Sequence, residues 1–356
     1  MYEYAFGQCI RPKGAYNVLR LGMPYKGSKN AIARDIIDIL PAGDVFVDLF
    51  AGGCAVTHAA ILSRKYKRII MNDINDYPKF FLECIAGKHT LEIHKEWISR
   101  EMFYALKDKD NYIKYCWSFG NNGRDYLYGK NIEEYKRALH YLIVLRDAEP
   151  MKRAVPGLFN ADDLQVICDT EEINERTRAY KKLLNGLYLA GAVNRKNNHY
   201  YYNGVGNIEM LQSAYNTERC NISDVETLER LQTFERLQSL QSLQSLQSLQ
   251  SLQSLQSDYR DVKIPPGAVI YCDIPYKGTA CDSYNGFDHD NFYEWAAKQK
   301  NIFVSEYYMP DNWNRVKTFT KQVNCTSKGS YSASIEGLFT NDPDFYCEEQ
   351  LTFLIG

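Results

Sequence analysis

Apolar positions along the 356-residue chain fall into a few short periodic blocks. Ile32, Ile36, Ile37, Ile39 and Leu40 recur at helical spacing and stop at Pro41, which predicts an amphipathic α-helix. Val45-Phe46-Val47-Asp48-Leu49 is a continuous, β-rich run and predicts a buried strand. A glycine turn follows, then a helical run from Ala55 to about Arg64, a strand over Arg68–Asp73 and a helix starting near Tyr77. The alternation returns near the far end. After the turn Pro265-Pro266-Gly267, the run Ala268–Cys272 predicts a strand, followed by a helix over Asp290–Lys300 and a strand over Asn301–Glu306. Glu349–Ile355 reads as a last strand. Together these blocks predict an α/β fold, a doubly wound sheet in two pieces separated by an insertion.

The middle of the chain reads differently. From about Gly87 to Asn221 β punctuation fades, and helices are expected over Glu133–Arg146 and Ile173–Leu189. Two loops there mix cations, amides and rings. One runs from Trp117 to Tyr126 and holds Asn121, Asn122 and Arg124. The other runs from Asn194 to Gly204 and holds Asn194, Arg195, Lys196, Asn198 and Tyr200. Such groups grip phosphates, read base edges and stack on bases; two polar hairpins would show the same composition. Residues 228–257 repeat leucine every three positions, spaced by Gln and Ser. A period of three drifts around an α-helix, would align on a long 3₁₀ helix that is rarely stable, and alternates faces on a strand. A helix packed along part of its length is the expectation, with a stacked solenoid as the alternative.

Composition narrows the class. A hydrophobic share of 45% supports a sizeable core, and a net charge of −2 excludes a histone-like basic coat but not a local basic groove. The ten cysteines contain no C-x-x-C pair, so neither a zinc site nor a disulfide framework is indicated, and no metal is expected. The N-terminus lacks a signal-peptide core and no apolar run reaches bilayer length, which predicts a soluble, cytoplasmic protein.

The chemistry-bearing residues sit where predicted strands end. Asp273-Ile274-Pro275-Tyr276 closes the Ala268–Cys272 strand. An exocyclic amino group on a heteroaromatic ring is a poor nucleophile, because its lone pair is drawn into the ring. Two acceptors on its N–H bonds, the Asp273 carboxylate and the Ile274 carbonyl, would pull that nitrogen toward a reactive form. Pro275 stiffens the turn, and Tyr276 offers a face for an extruded base. Upstream, Gly52-Gly53 admits close backbone approach, and Asp73 stands about 20 residues on, the spacing of a ribose-binding carboxylate. A cap for the helix near Tyr77 is the other reading of Asp73. The Gly27-Ser28 turn with Lys29 either presents donors to an anion or caps the helix behind it.

Taken together, Met23-Pro24-Tyr25-Lys26-Gly27-Ser28-Lys29, Asp48-Leu49-Phe50-Ala51-Gly52-Gly53, Asn72-Asp73-Ile74-Asn75, Asp258-Tyr259, Asp273–Tyr276 and Val304-Ser305-Glu306-Tyr307 make the chain resemble Dam-type DNA adenine-N6 methyltransferases of bacteria and their phages. The resemblance implies a Rossmann-like seven-stranded methyltransferase sheet with one antiparallel strand and an inserted, mainly helical target-recognition domain. It implies S-adenosylmethionine as cofactor and direct methyl transfer to adenine N6 in a short duplex DNA site. Tyr25, Lys29, Asp48, Phe50, Gly52, Gly53, Asp73, Asp258, Tyr259 and Asp273 would serve the cofactor, and Asp273, Ile274, Pro275 and Tyr276 the target adenine. The implied division is catalytic residues 1–86, target recognition 87–227, a Leu-Gln-Ser spacer 228–257 and catalytic residues 258–356. A monomer is expected, with a cognate restriction nuclease as a further partner in a restriction-modification setting. Two positions depart from the family pattern: Ile274 replaces a proline and Cys54 a glycine. They leave open a weakened or inactive DNA-binding homologue, and the elbow alone also leaves open RNA or protein amides as substrates.

Overall fold

The computed structural model describes residues 21–25, 27–89, 94–196, 199–202, 220–221, 240–246, 250–276, 286–323 and 332–345. Its strands, in chain order, are β1 (Gly43–Asp48), β2 (Tyr66–Asp73), β3 (Asn194–Lys196), β4 (His199–Tyr202), β5 (Cys220–Asn221), β6 (Ser251–Gln256), β7 (Val269–Asp273), β8 (Ile302–Glu306), β9 (Asn314–Val323) and β10 (Ser332–Thr340). Seven form one sheet in the spatial order β6-β2-β1-β7-β8-β10-β9, and β3, β4 and β5 form a small separate one. Strands β6, β2, β1, β7 and β8 run parallel, and β10 is antiparallel to β8 and to β9. One strand of the seven thus opposes the rest, and the chain is an α/β protein with the seven-stranded sheet expected from its sequence. Strand order reverses between β1 and β7, and in such sheets the crevice beyond the carboxyl ends at that switch point takes the ligand.

Both faces of the sheet are covered, so adjacent residues on one strand feed different cores. Phe46, Ile69, Met71 and Tyr271 join the core under α1 (Ala33–Ile39), α2 (Ala55–Ser63) and α3 (Tyr77–Ile85). Their neighbours Val47, Ile70, Ile270 and Cys272 join the core that also holds Phe292 and Ala296. This is why the parallel strands read as unbroken apolar runs rather than as alternation. Helix α2 is itself buried along Ala55–Ile61, and its small residues Ala55, Ala59 and Ala60 allow close packing.

The insertion packs in two parts. Helices α4 (Arg100–Leu106) and α5 (Asn111–Cys116) contribute Phe103, Tyr112 and Ile113 to the same core as α1–α3. The next group, α6 (Glu133–His140), α7 (Glu149–Ala154), α8 (Ala161–Asp169) and α9 (Ile173–Leu189), builds its own core around Tyr135, Leu142, Met151, Leu164, Tyr180 and Leu184. The helix expected over Glu133–Arg146 changes to a π turn at Tyr141–Leu145 and ends with Arg146 in the left-handed region. The last helix among the described residues is α10 (His289–Ala296).

The triplet repeat corrects an expectation. Instead of a helix packed along part of its length, its described residues form a short 3₁₀ helix, Leu240–Leu246, and strand β6 at the sheet edge. In the 3₁₀ segment the three-residue period matches the turn, so Leu240 and Leu243 lie on one side, both buried. In β6 the same period sends Leu252 toward the α1–α3 core and Leu255 toward the α10 core. Alternation wastes no leucine where both faces are covered. The expected last strand at 349–355 lies outside the described residues. No helix among the described residues is long and apolar enough to cross a membrane.

Candidate active site

Three carboxylates gather at the carboxyl ends of adjacent strands: Asp48 on β1, Asp73 on β2 and Asp273 on β7. The chain segment before α1 lies across the glycine turn between β1 and α2. Met23 N donates to Gly53 O at 2.6 Å. The Tyr25 side chain sits against both glycines: a Cβ on Gly52 would lie 2.8 Å from Tyr25 Cε1, and one on Gly53 2.6 Å from Tyr25 Cβ. Gly52 also holds φ at +45°, which favours glycine. These glycines are therefore required by packing as well as by any ligand. Tyr25 in turn meets the Tyr77 ring edge-on at 5.0 Å.

Asp73 is fixed by this turn. One oxygen accepts from Gly52 N at 2.9 Å; the other accepts from Asn75 N at 2.9 Å and Asn75 Nδ2 at 3.1 Å. Helix α3 is preceded by Asp76, so Asp73 does not cap it. Burial pushes the Asp73 pKa up, against the hydrogen bonds from Asn75 and Gly52. Asp48 is buried deeper. Its Oδ2 accepts from Thr57 Oγ1 at 2.7 Å, and its Oδ1 meets no hydrogen-bond donor among the described residues. Burial, then the nearby charges of Asp273 and Asp73, raise its pKa to about 7 against the Thr57 bond. Anionic oxygens held without full compensation favour a cation in this crevice.

The elbow after β7 holds the opposite wall. Lys29 Nζ, just before α1, lies 2.5 Å from Asp273 Oδ1, 2.5 Å from Tyr276 Oη and 3.4 Å from Glu336 Oε1 on β10. Burial alone would lower the Lys29 pKa, but Asp273 and Glu336 outweigh it and hold it above its ordinary value. Ile274 is buried in the α10 core, and His289 Nε2 lies 2.7 Å from Pro275 O. The Tyr276 ring leans on Tyr307 at 4.4 Å, and burial pushes its hydroxyl pKa far up. Lys29, Asp273 and Tyr276 thus meet across 244 and more residues of sequence, beside the glycine turn. The family model of the D12 class N6 adenine-specific DNA methyltransferases matches residues 25–328.

The chain belongs to this family. It is a DNA adenine methyltransferase, and duplex or other DNA is its substrate class. No curated protein matches it in sequence.

The other residues singled out from the sequence are placed as follows. Phe50 packs against Tyr259, Phe287 and Phe292 at 5.4 to 5.8 Å, forming an aromatic wall. Asp258 caps the turn Tyr259–Asp261, and Arg260 grips both its oxygens, Nε to Oδ1 at 2.8 Å and Nη2 to Oδ2 at 2.9 Å. Asn72 ties these pieces together, donating to Leu49 O and Ser257 O and accepting from Ser257 N. Cys54 takes a left-handed φ of 58°, a conformation that favours glycine, yet its side chain is wholly buried in the α1–α3 core.

On the insertion, Asn122 organises its own loop: Oδ1 accepts from Arg124 N and Asp125 N, and Nδ2 donates to Asp125 Oδ2. Asn121 Nδ2 donates to Tyr115 O, and its carbonyl accepts from the Tyr77 hydroxyl, linking the loop to Tyr25 through Tyr77. Arg124 is exposed, and Phe119 in the same loop is 67% exposed. Asn194, Arg195 and Lys196 form β3, with Arg195 opposite Tyr200 of β4; Asn198 lies outside the described residues. Glu336 was missed: a lone Glu in a β-rich run carries no motif.

Proposed function

We propose that the enzyme transfers a methyl group from S-adenosylmethionine to N6 of an adenine flipped out of a short duplex site. The observation that carries this reading is the meeting of Asp273, Lys29 and Tyr276 at the switch point, one strand away from the Asp48–Asp73 crevice. The cofactor supplies an electrophilic methyl on a sulfonium. The chain's residues fit such a cation: Asp48 Oδ1 is buried with no donor among the described residues, and Asp73 and Asp273 stand beside it. Tyr25, Gly52 and Gly53 form the turn for the cofactor, with Lys29 at its N-terminal side; Asp73 takes the ribose hydroxyls, and Phe50, Asp258 and Tyr259 hold its adenine. Asp258 Oδ2 takes a single bond from Arg260 and retains a lone pair for this purpose.

Asp273 and the Ile274 carbonyl accept the two N–H bonds of the target amino group, and Tyr276 stacks on its ring. Acceptors fixed in advance raise the rate through orientation and electrostatics. Ile274 keeps its carbonyl, and its buried side chain substitutes core packing for the stiffness of a second proline. The 87–227 region positions DNA: Asn121, Asn122 and Arg124 on one loop, and Asn194, Arg195, Lys196, Asn198 and Tyr200 on the other, contact phosphates and base edges. Residues 1–86 and 258–356 form the catalytic part with β6 of the repeat at its edge. A restriction-modification pairing and a monomeric state belong to the same reading.

The test is transfer of tritiated methyl from S-adenosylmethionine to long mixed-sequence duplex DNA, followed by nucleoside analysis. N6-methyladenine is expected with the wild type. Asp273→Ala should lower turnover by about 10³-fold or more while cofactor binding persists. Full activity in that variant rejects the assignment of Asp273, and no cofactor binding by the wild type rejects the whole reading.

A further inference from the structure

Strand β10 inverts the usual burial rule at one step. Ile335 is 60% exposed, and the next residue, Glu336, is 1% exposed. Successive strand residues face opposite sides, so this strand turns an isoleucine outward and a carboxylate inward. A buried carboxylate costs several kcal/mol, on the order of what one buried ion pair returns, and persists only where partners hold it. Its partners here are Lys29 and Tyr276. Lys29 Nζ is 3.4 Å from Glu336 Oε1, and the Tyr276 hydroxyl accepts from Lys29 while donating to Glu336. One ammonium therefore serves two carboxylates, the nearer being Asp273 at 2.5 Å.

We propose that Glu336 is a positioning residue for methyl transfer, the second carboxylate to which Lys29 moves when the target amino group takes Asp273. This rests on the reading of Asp273 as the acceptor for that amino group. The argument is one of competition. Lys29 donates to Asp273 Oδ1 at 2.5 Å, so an amino group that takes this carboxylate as its acceptor competes with the ammonium for the same anion. Releasing a buried ammonium with no other anion nearby would leave an unpaired charge and oppose adenine binding. Glu336 removes that obstacle: the ammonium keeps an anionic partner after a short shift, and stays on the Tyr276 hydroxyl. Charge is then matched at each stage.

Glu336→Gln isolates this role, because the amide oxygen still accepts from Tyr276 while the charge is lost. Single-turnover methylation of long mixed-sequence duplex DNA, at saturating S-adenosylmethionine, should slow by about tenfold or more. Cofactor affinity by calorimetry and thermal midpoint should stay close to wild type, and Glu336→Asp should recover part of the rate. In a Lys29→Met background, Glu336→Gln should have no further effect, since the residue it serves is gone. A rate within about twofold of wild type for Glu336→Gln overturns the proposal, as does an undiminished effect in the Lys29→Met background. The parent reading is scored separately. Active wild type with inactive Asp273→Ala and unaffected Glu336→Gln removes only the Glu336 role; active Asp273→Ala removes the reading beneath it.

Discussion

Strands β1 and β6 belong to the same sheet yet encode their places in opposite ways. In β1 no residue stands in for another: Phe46 and Val47 feed different cores, and Asp48 closes the strand in the crevice. In β6 the residues are interchangeable copies of one triplet, and only the spacing matters. The repeat satisfies a strand with two covered faces because every third residue alternates sides, and it satisfies a 3₁₀ helix because every third residue aligns. A structure can thus be specified by identity at its chemical centre and by period at its edge.

The largest effect should come from disturbing the region specified by identity. Gly53→Ala places a methyl 2.6 Å from Tyr25 Cβ and 2.8 Å from the Met23 carbonyl oxygen, and both sit on the chain segment that leads to Lys29. The segment must shift, and a displacement near 1 Å at a reacting centre costs about 10²-fold. We expect kcat/KM to fall by about that factor, with cofactor affinity falling as well. Steady-state kinetics alongside calorimetry checks both. Normal kinetics would mean that the N-terminal segment is not coupled to the elbow.

This contrast also separates what the sequence discloses from what it hides. The crevice was legible because its parts carry local signatures: a carboxylate after an aliphatic run at Asp48, Asp73 and Asp273, and glycines at 52 and 53. Helix α9 was read to its ends, since Ile173–Leu189 holds a clear helical period. Strand β6 was not, because a sequence alone does not say whether one face of a strand or both will be covered. Glu336 was hidden for a related reason: burial of a carboxylate depends on Lys29 and Tyr276, both remote in sequence. The Asp258–Arg260 grip likewise has no signature, since nearby opposite charges are common on exposed turns.

A smaller effect should follow from relieving Asp48. Its carboxyl titrates near 7 in the folded chain against 3.8 as a free group, because burial and neighbouring carboxylates oppose its charge. Between these values the folded chain holds a proton that the unfolded chain has released. Stability therefore falls as pH rises through this window, by about 4 kcal/mol at most, and the loss is complete above pH about 7. Asp48→Asn removes this charge and keeps an acceptor for Thr57, but adds an amide with no partner, at about 1–3 kcal/mol. The variant should be more stable than wild type at pH 8 by about 1–3 kcal/mol, and less stable at pH 4, where only the cost of the unpartnered amide remains. Urea unfolding at both pH values reads the sign. Equal slopes with pH would show that Asp48 stays ionised in the folded chain.

The smallest effect should come from the repeat, and there a null result is informative. Sliding a three-residue period by three residues places an identical side chain at every position. A further Ser-Leu-Gln unit inserted between Gln253 and Ser254 therefore restores β6 unchanged, and the surplus passes back toward Leu240. Leucines return to both cores, a Gln returns to face the Arg68 guanidinium at the place of Gln253, and another to the Tyr66 carbonyl at the place of Gln250. Stability should change by less than about 0.5 kcal/mol, the cost of lengthening a connection. A single Ser inserted at the same point has no such escape. It shifts one side of the strand by one residue, which reverses the faces of Leu252 and its predecessors relative to Leu255, or forces a bulge at the sheet edge. That variant should lose about 1–3 kcal/mol, the value of one leucine moved from core to solvent. Chemical unfolding of the two insertions, side by side, distinguishes period from identity: equal losses would mean that β6 is specified residue by residue, as β1 is.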